Sequence, residues 1–578
     1  MKKKGQRRAG KEAPVVQTGA PKRPGWAIPA VVFGAALMLG ILVYAPALDG
    51  PFLLDDLYLP FARPEAEAGR PFWPWKLRPV LMATFYLNYQ AAGFAPWSYH
   101  LVNVVLHAVV ALLVFFILRR LTEKAVADSA KDLIATLGAG IFLLHPLQTE
   151  SVAYIASRSE VLSTLFAYGA LAVFLHRPQA EISWPRAILV LGLLAAAMGS
   201  KEHTAAMVAV LMLTDYFWNP GFSLRGIARS WKVYAPMALL AVPAVSMIRL
   251  VLRTADTAGF GLQDLAWHEY ALTQCRAFWK YLQLFVAPIG QNVDPYFPVS
   301  RSLFDHGAAI GLVAIALSVG AAWWFRKRAP LISYGFFVFV ILLAPTSSIL
   351  PIRDPLAERR LYLPFIGLLL MLAGTLVRWS PPRRTLVFGG TALLGLLAAL
   401  TYSRAALWGN PTLLWEDAVK GSPNKMRPHF QLAHAYYRDG RCADAVTLYA
   451  KAAKLEPPDT RLLTNWALAL ECAGKPEEAL ARLQEAVKIE PSAHLHSTIG
   501  MIHAKQGRYS QALAALAEAQ KLDPQFTMTY VYEGNVRALQ GDAAAARDLY
   551  QKALRIDPSN AAARQSLALL GQSGEGQR

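Results

Sequence analysis

Charge is scarce in this chain of 578 residues: Asp, Glu, Lys and Arg make up 17% of it, against 54% hydrophobic residues. Soluble domains carry about a quarter charged residues, so an ordinary soluble globule is excluded and a membrane-embedded chain is implied. Cysteine is nearly absent. Cys275, Cys442 and Cys472 have neither zinc-ligand spacing nor the density of a disulfide scaffold. Also missing are the phosphate-binding glycine loop, the zincin helix and the dinucleotide fingerprint, which removes the common enzyme classes built on them. The net charge is +19, yet the basic residues lie in short clusters between apolar runs instead of on one patch, so no nucleic-acid partner is expected.

What is present is a series of apolar runs near the roughly 20-residue length that crosses a bilayer. Eleven are expected, near 27–47, 99–118, 132–145, 155–175, 187–200, 204–218, 233–252, 306–325, 331–350, 361–377 and 385–402. Short loops rich in Lys and Arg stay cytoplasmic. The first 26 residues carry eight such residues against Glu12, and alternate loops hold Arg119 and Arg120, Arg177 and Arg186, Arg225 to Lys232, Arg326 to Arg328, and Arg378 to Arg384. The N-terminus is therefore expected inside and everything after the eleventh span outside. The start also has the layout of a secretory signal ending in "APA", but its apolar run is long for one. Residues 264–290 are apolar enough to resemble a span, but His268, Glu269, Arg276 and Lys280 recur along them, so an amphipathic helix in an external loop is expected.

Beyond Trp408 the composition turns to soluble helix and a repeat appears. Pro457, Pro491, Pro524 and Pro558 are spaced 34, 33 and 34 residues apart, and Gly440, Gly474, Gly507 and Gly541 mark the turn within each unit. Small residues occupy the helix contacts: Ala433, Ala467, Gly500 and Gly534, then Ala445, Ala479, Ala512 and Ala546. This is the tetratricopeptide signature, whose stacked helix pairs present a concave face to peptide or protein. The expected fold class is all-α. A basic tail (1–26) precedes a polytopic membrane domain (27–404), a linker and capping helix (405–425), four repeats (426–559) and a final capping helix and tail (560–578). Cys442 and Cys472 fall toward the same end of adjacent antiparallel helices, where a disulfide or two buried thiols would fit.

Four external segments carry the informative polar residues. The loop 49–98 opens with "LDGPFLLDDLYLPF", holding Asp55 and Asp56, and continues through Arg63, Arg70, Lys76 and Arg78. "HPLQTESVAYIASRSEVL" holds His145, Glu150, Arg158 and Glu160. "SKEH" holds Lys201, Glu202 and His203. "PIRDPLAERRLYLPFIG" holds Arg353, Asp354, Glu358, Arg359 and Arg360 on a face where topology disfavours positive charge. Acids that could take a proton and cations that could hold a phosphate thus lie on one face of the membrane domain.

These strings, in this order and followed by the repeats, resemble the transmembrane and tetratricopeptide-repeat O-mannosyltransferases, a GT-C fold family, along nearly the whole chain. The resemblance implies an inverting transfer of a sugar, mannose by analogy, from a polyprenyl-phosphate carrier of undecaprenyl or dolichyl type to a hydroxyl of an acceptor protein held by the repeats. By the same analogy Asp55 is the base and Asp56 orients it or the acceptor. Arg359, Arg360, Arg158 and Lys201 hold the donor phosphate, and His145, Glu150, Glu202, His203, Glu358 and Arg353 support the site. No cofactor is required, although a pair of acids is compatible with a divalent cation, Mg or Mn. The chain departs from the family pattern at Phe365, His203 and "SRSE" (157–160). The short tail and plain repeats suggest a bacterial inner membrane, with the repeats in the periplasm. The competing reading is a non-catalytic membrane scaffold whose repeats assemble envelope or polymer-export partners. A transporter is disfavoured because the polar residues gather at one face.

Overall fold

In the computed structural model, residues 27–59, 78–125, 130–240, 246 and 257–575 are described. The basic tail, the loop cations Arg63, Arg70 and Lys76, and most of the expected span at 233–252 lie outside them. The described chain is helical, with one isolated β-bridge between Ala258 and Ile352.

Each of the other ten expected spans coincides with a helix. Five are long and apolar enough to cross a bilayer: Ala30–Leu48, Pro96–Lys124, Ile155–Leu175, Asp305–Trp324 and Arg383–Trp408. These make the chain a multi-pass membrane protein. Three more, Trp184–Met198, Pro330–Leu343 and Phe365–Trp379, are apolar but shorter. A 15-residue helix rises only about 22 Å, less than the hydrocarbon thickness of about 30 Å. Where the sequence suggests eleven crossings, the described residues therefore supply eight apolar helices, five of them of full length.

Trp267–Val286 forms the helix expected in an external loop, and it is not among the membrane-length apolar helices. Its buried face carries Tyr270, Gln274, Phe278 and Tyr281. Gln274 donates to the Pro355 carbonyl at 2.8 Å, and the Tyr281 hydroxyl donates to the Ala357 carbonyl at 3.3 Å. The helix is thus a prop beneath the "AERR" segment. A helix not anticipated from sequence, Pro79–Ala92, packs against Pro96–Ala125 and Arg158–Leu175.

The first and last membrane helices meet backbone to backbone. A Cβ on Gly50 would fall 2.8 Å from the Trp408 carbonyl oxygen, and one on Gly409 would fall 2.2 Å from that of Pro46. Only glycine permits this approach. As a result the aspartate loop, which starts at Gly50, and the entry to the repeats, which starts at Gly409, leave the membrane domain side by side.

The repeats fold as the period requires. Four helix pairs, from Met426–Arg438 with Cys442–Leu455 to Thr527–Leu539 with Ala543–Ile556, stand between the caps Pro411–Gly421 and Ala561–Glu575. Each turn glycine is left-handed, with φ between +71° and +86°, the conformation that favours glycine. Cys442 and Cys472 are joined as a disulfide with their Cα atoms 5.8 Å apart, closing a loop with a sequence separation of 30. Cross-linking a loop of that size stabilises by about 3–4 kcal/mol. Reduction, or Cys442→Ser, is therefore expected to lower the melting temperature of the repeats in the full chain, as read by circular dichroism with and without reductant.

Candidate active site

Adjacent residues in a 3₁₀ turn cannot face the same way, and the turn Leu54–Tyr58 separates the two aspartates. Asp56 points inward and is 2% exposed. Its carboxylate accepts from the Leu53 N–H at 3.0 Å and the Ala156 N–H at 2.7 Å. Burial pushes its carboxyl up to about 7. The Asp55 side chain is exposed, while its backbone N–H donates to the Tyr154 hydroxyl at 2.8 Å. Leu54, just before it, is held at φ +51°, a costly region for a branched side chain. What holds it there is packing: Leu54 lies against the cluster of Trp415, Ala418 and Leu432, which belongs to the cap and first helix of the repeats.

The segment after His145 and the "AERR" segment interlock. Glu150, 4% exposed, accepts from Arg359 Nη1 at 2.5 Å and from its backbone N–H at 2.9 Å. Burial alone would lower the Arg359 guanidinium pKa; the Glu150 carboxylate reverses that and raises it. Glu358 turns the other way, accepting from Gln291 Nε2 at 2.6 Å and the Asn292 N–H at 2.7 Å, and burial lifts its carboxyl to about 7. Arg360 is also turned inward, donating to the carbonyls of Asp354 (2.5 Å) and Pro355 (3.1 Å) and to the Tyr270 hydroxyl (3.3 Å). His145 is wedged against Phe285 and Phe365. Its Nδ1 accepts from the Leu147 N–H and its Nε2 faces the Phe285 carbonyl. That pairing requires the neutral Nε2–H tautomer, in keeping with burial lowering its pKa to about 4.

The remaining expected residues form a separate charged layer. Lys201 is hydrogen-bonded to Glu160, whose other oxygen lies 3.5 Å from His203 Nε2, and burial holds His203 down to about 4. Glu202 pairs with Arg78 through two bonds of 2.9 and 3.0 Å. Arg158 is fully buried, its donors taken by Asn103, Asn88 and the Tyr99 carbonyl and its guanidinium 4.4 Å from the Phe85 ring centroid. Arg353 sits on the surface, 3.4 Å from Asp264.

One cavity of about 400 Å3 brings Asp55, Glu150 and Arg359 together. Its remaining walls come from Tyr154, the loop residues Asp294 and Asp354, and the first two repeats through Arg427, His434, Arg438, Arg461 and Asn465. Asp56, Arg158, Lys201, Glu202, His203, His145, Arg353, Glu358 and Arg360 do not line it. Asp294 and Asp354 are occupied by Lys425 and Arg427: Lys425 reaches Asp294 at 2.5 Å, and Arg427 reaches Asp294 at 2.6 Å and Asp354 at 2.9 Å. Among the described residues no three His, Cys, Asp or Glu side chains are grouped to hold a metal ion. The repeat arginines were open to sequence reading. Arg427 and Arg461 each stand thirty residues before a terminal proline, at one position of successive repeats.

Comparison with known proteins agrees with both halves. A tetratricopeptide-repeat family model matches residues 430–495 and 497–561. The protein O-mannosyl-transferase F38B6.6 of Caenorhabditis elegans is 26% identical over 447 residues, covering 73% of this chain and 62% of that protein. The chain is a homologue of proteins named protein O-mannosyl-transferases. TMTC3 of Mus musculus, named likewise, is 23% identical over 551 residues, covering 85% of this chain and 58% of the relative. Tmtc2 of Drosophila melanogaster is 31% identical over 319 residues, covering 49% and 33%. The chain thus spans about three fifths of the length of the first two O-mannosyl-transferases. Among solved structures, a thermophilic tetratricopeptide protein of Thermus thermophilus aligns at 23% identity and a TM-score of 0.26, covering 31% of this chain and 95% of that one.

Asp56→Ala leaves two backbone N–H groups without an acceptor, at a cost of about 1–3 kcal/mol, and should lower the melting temperature. Asp55→Asn should leave it unchanged, since that carboxylate makes no bond among the described residues. Stability should also depend on pH. An acid whose folded pKa is raised contributes stability below its unfolded value and loses that contribution as pH rises through the folded value. For Glu358 the loss begins near the ordinary carboxyl value of 4.5 and is complete once the pH passes about 7. Melting temperature should therefore fall between about pH 4.5 and about pH 7 and level off above that, and fall less in Glu358→Gln.

Proposed function

We propose that the chain is an inverting membrane glycosyltransferase that moves a sugar from a polyprenyl-phosphate carrier to a hydroxyl of a protein acceptor. Mannose is the sugar the names of its relatives suggest. The observation that carries this reading is the sharing of one cavity by an exposed acid, Asp55, a carboxylate-anchored cation, Arg359, and the polar face of the first two repeats.

In this reading Asp55 takes the proton of the acceptor hydroxyl as its oxygen forms a bond to carbon one of the sugar. The bond from that carbon to the phosphate oxygen breaks, and its electron pair leaves with the lipid phosphate. Negative charge builds on the phosphate in the transition state, where Arg359, already oriented by Glu150, stabilises it. Asp56 positions the loop and does not meet the substrate. The acceptor enters over the first two repeats, so that Arg438, Arg461 and Asn465 meet the polypeptide flanking the reacting residue. An external site is supported by the Cys442–Cys472 disulfide, since such bonds persist in oxidising compartments. A bacterial inner membrane with periplasmic repeats fits both the disulfide and the basic N-terminal tail. The carrier, of undecaprenyl or dolichyl type, would lie with its tail along the apolar helices, and no step needs a divalent cation.

The test is turnover by the purified full chain given polyprenyl-phosphate mannose and a serine- and threonine-containing acceptor. Release of lipid phosphate should be acceptor-dependent, and Asp55→Asn should slow it by about 10²–10⁴-fold with an unchanged melting temperature. Equal turnover by Asp55→Asn would remove Asp55 as the base. No turnover with any polyprenyl-phosphate sugar would leave the scaffold reading in its place.

A further inference from the structure

At the other end of the membrane domain lies a second cavity, of about 240 Å3, that the proposed reaction does not use. It sits where the helices Pro96–Ala125, Arg158–Leu175 and Met207–Trp218 all end. Over its 18 residues, Arg158–Leu175 rises about 27 Å, close to one hydrocarbon thickness. The cavity therefore faces the headgroup layer opposite Asp55.

Its donors exceed its acceptors. Arg120, Lys124 and Arg177 line it. Arg120 donates to the Leu175 carbonyl at 3.3 Å and to Glu123 at 3.1 Å, and Arg177 is held by Asp215 and by Ser230 Oγ. The two acids are saturated: Glu123 also accepts from Lys131, and Asp215 from Asn219 and Tyr234. Lys124 has no hydrogen bond or ion pair among the described residues.

An unpaired ammonium with two further cations beside it on one concave surface matches an anion that offers several oxygens. We propose that this cavity binds a phosphate group, as presented by an anionic phospholipid headgroup in the leaflet it faces. Its place at the ends of apolar helices favours the lipid, because basic residues at that level meet anionic headgroups. The inference is independent of what the Asp55 cavity catalyses.

The experiment uses the full chain in phosphatidylcholine nanodiscs, with and without a minor fraction of phosphatidylglycerol, and counts retained lipid by native mass spectrometry. Wild type should retain phosphatidylglycerol in preference to phosphatidylcholine, and Lys124→Gln should weaken that retention by about tenfold. Arg120→Gln removes a second cation of the same lining, so it should weaken retention too and decides the matter if Lys124→Gln does not fold. A second arm adds inorganic phosphate to phosphatidylcholine discs. A phosphate-dependent rise in melting temperature that Lys124→Gln abolishes, without any lipid preference, would assign the site to free phosphate. Lipid preference unchanged in both variants, or no response to either probe, overturns the proposal.

Discussion

The Asp56 carboxylate takes the N–H of Leu53 and the N–H of Ala156, 100 positions along the chain, and so anchors an irregular loop to the mouth of the membrane domain. The layer outside the helices is built from short 3₁₀ turns, whose backbone donors have few ladder partners. Buried acids supply the missing acceptors at two further points: Glu150 takes the N–H of Arg359, and Glu358 takes that of Asn292. Burying a carboxylate is costly unless its oxygens are bonded, and each of these three accepts from two donors. Asp55, beside them in the cavity wall, makes no side-chain bond among the described residues, which leaves its carboxylate free to accept a proton.

This bracing extends into the repeats. Asn292 donates to the Ala418 carbonyl and to Ser422 Oγ, and Ser422 donates to the Asp294 carbonyl. Lys425 and Arg427 then neutralise Asp294 and Asp354. The loop that carries Arg359 and the helix that opens the first repeat are therefore linked through one set of side chains. Leu54 completes the arrangement from the other side by packing on Trp415. With the repeats docked in this way, their first two units form a wall of the cavity that Asp55 lines, and in the proposed function an acceptor seated on them would be presented to Asp55 from a fixed direction.

Much of this is legible in the sequence. The repeats are, because turn glycine, terminal proline and small contact residues each answer a steric demand that recurs every 33 or 34 residues. The apolar helices are, because a bilayer imposes length and composition together. Which charges face one another is not. Asp55 and Asp56 are chemically alike, and only the backbone turn between them sends one inward. Arg359 and Arg360 are likewise adjacent, yet the first lines the cavity and the second is used up on carbonyls. Arg158 reads as an external cation, but the neighbouring Pro79–Ala92 helix, whose polar residues give little warning of it, supplies Asn88 and Phe85 to enclose it. Sequence order shows that charges share a layer, whereas their partners depend on long-range packing.

In the proposed reaction Arg359 would serve the leaving phosphate, and its state in the structure bears on how one guanidinium could do so. Glu150 holds one terminal nitrogen and the backbone of the same residue, leaving the rest of the fork free in a side chain that is 33% exposed. A guanidinium presents five N–H donors in a rigid plane. The plane is therefore oriented before substrate arrives and needs no reorganisation when charge develops. An unpaired arginine there would pay desolvation as the carrier's phosphate covered it; one paired with Glu150 shares its charge and keeps donors in reserve. In that reaction the same pairing would limit how tightly the ground-state phosphate diester is held, since Glu150 would repel it. The differential favours the more negative leaving phosphate, which is where binding energy lowers a barrier.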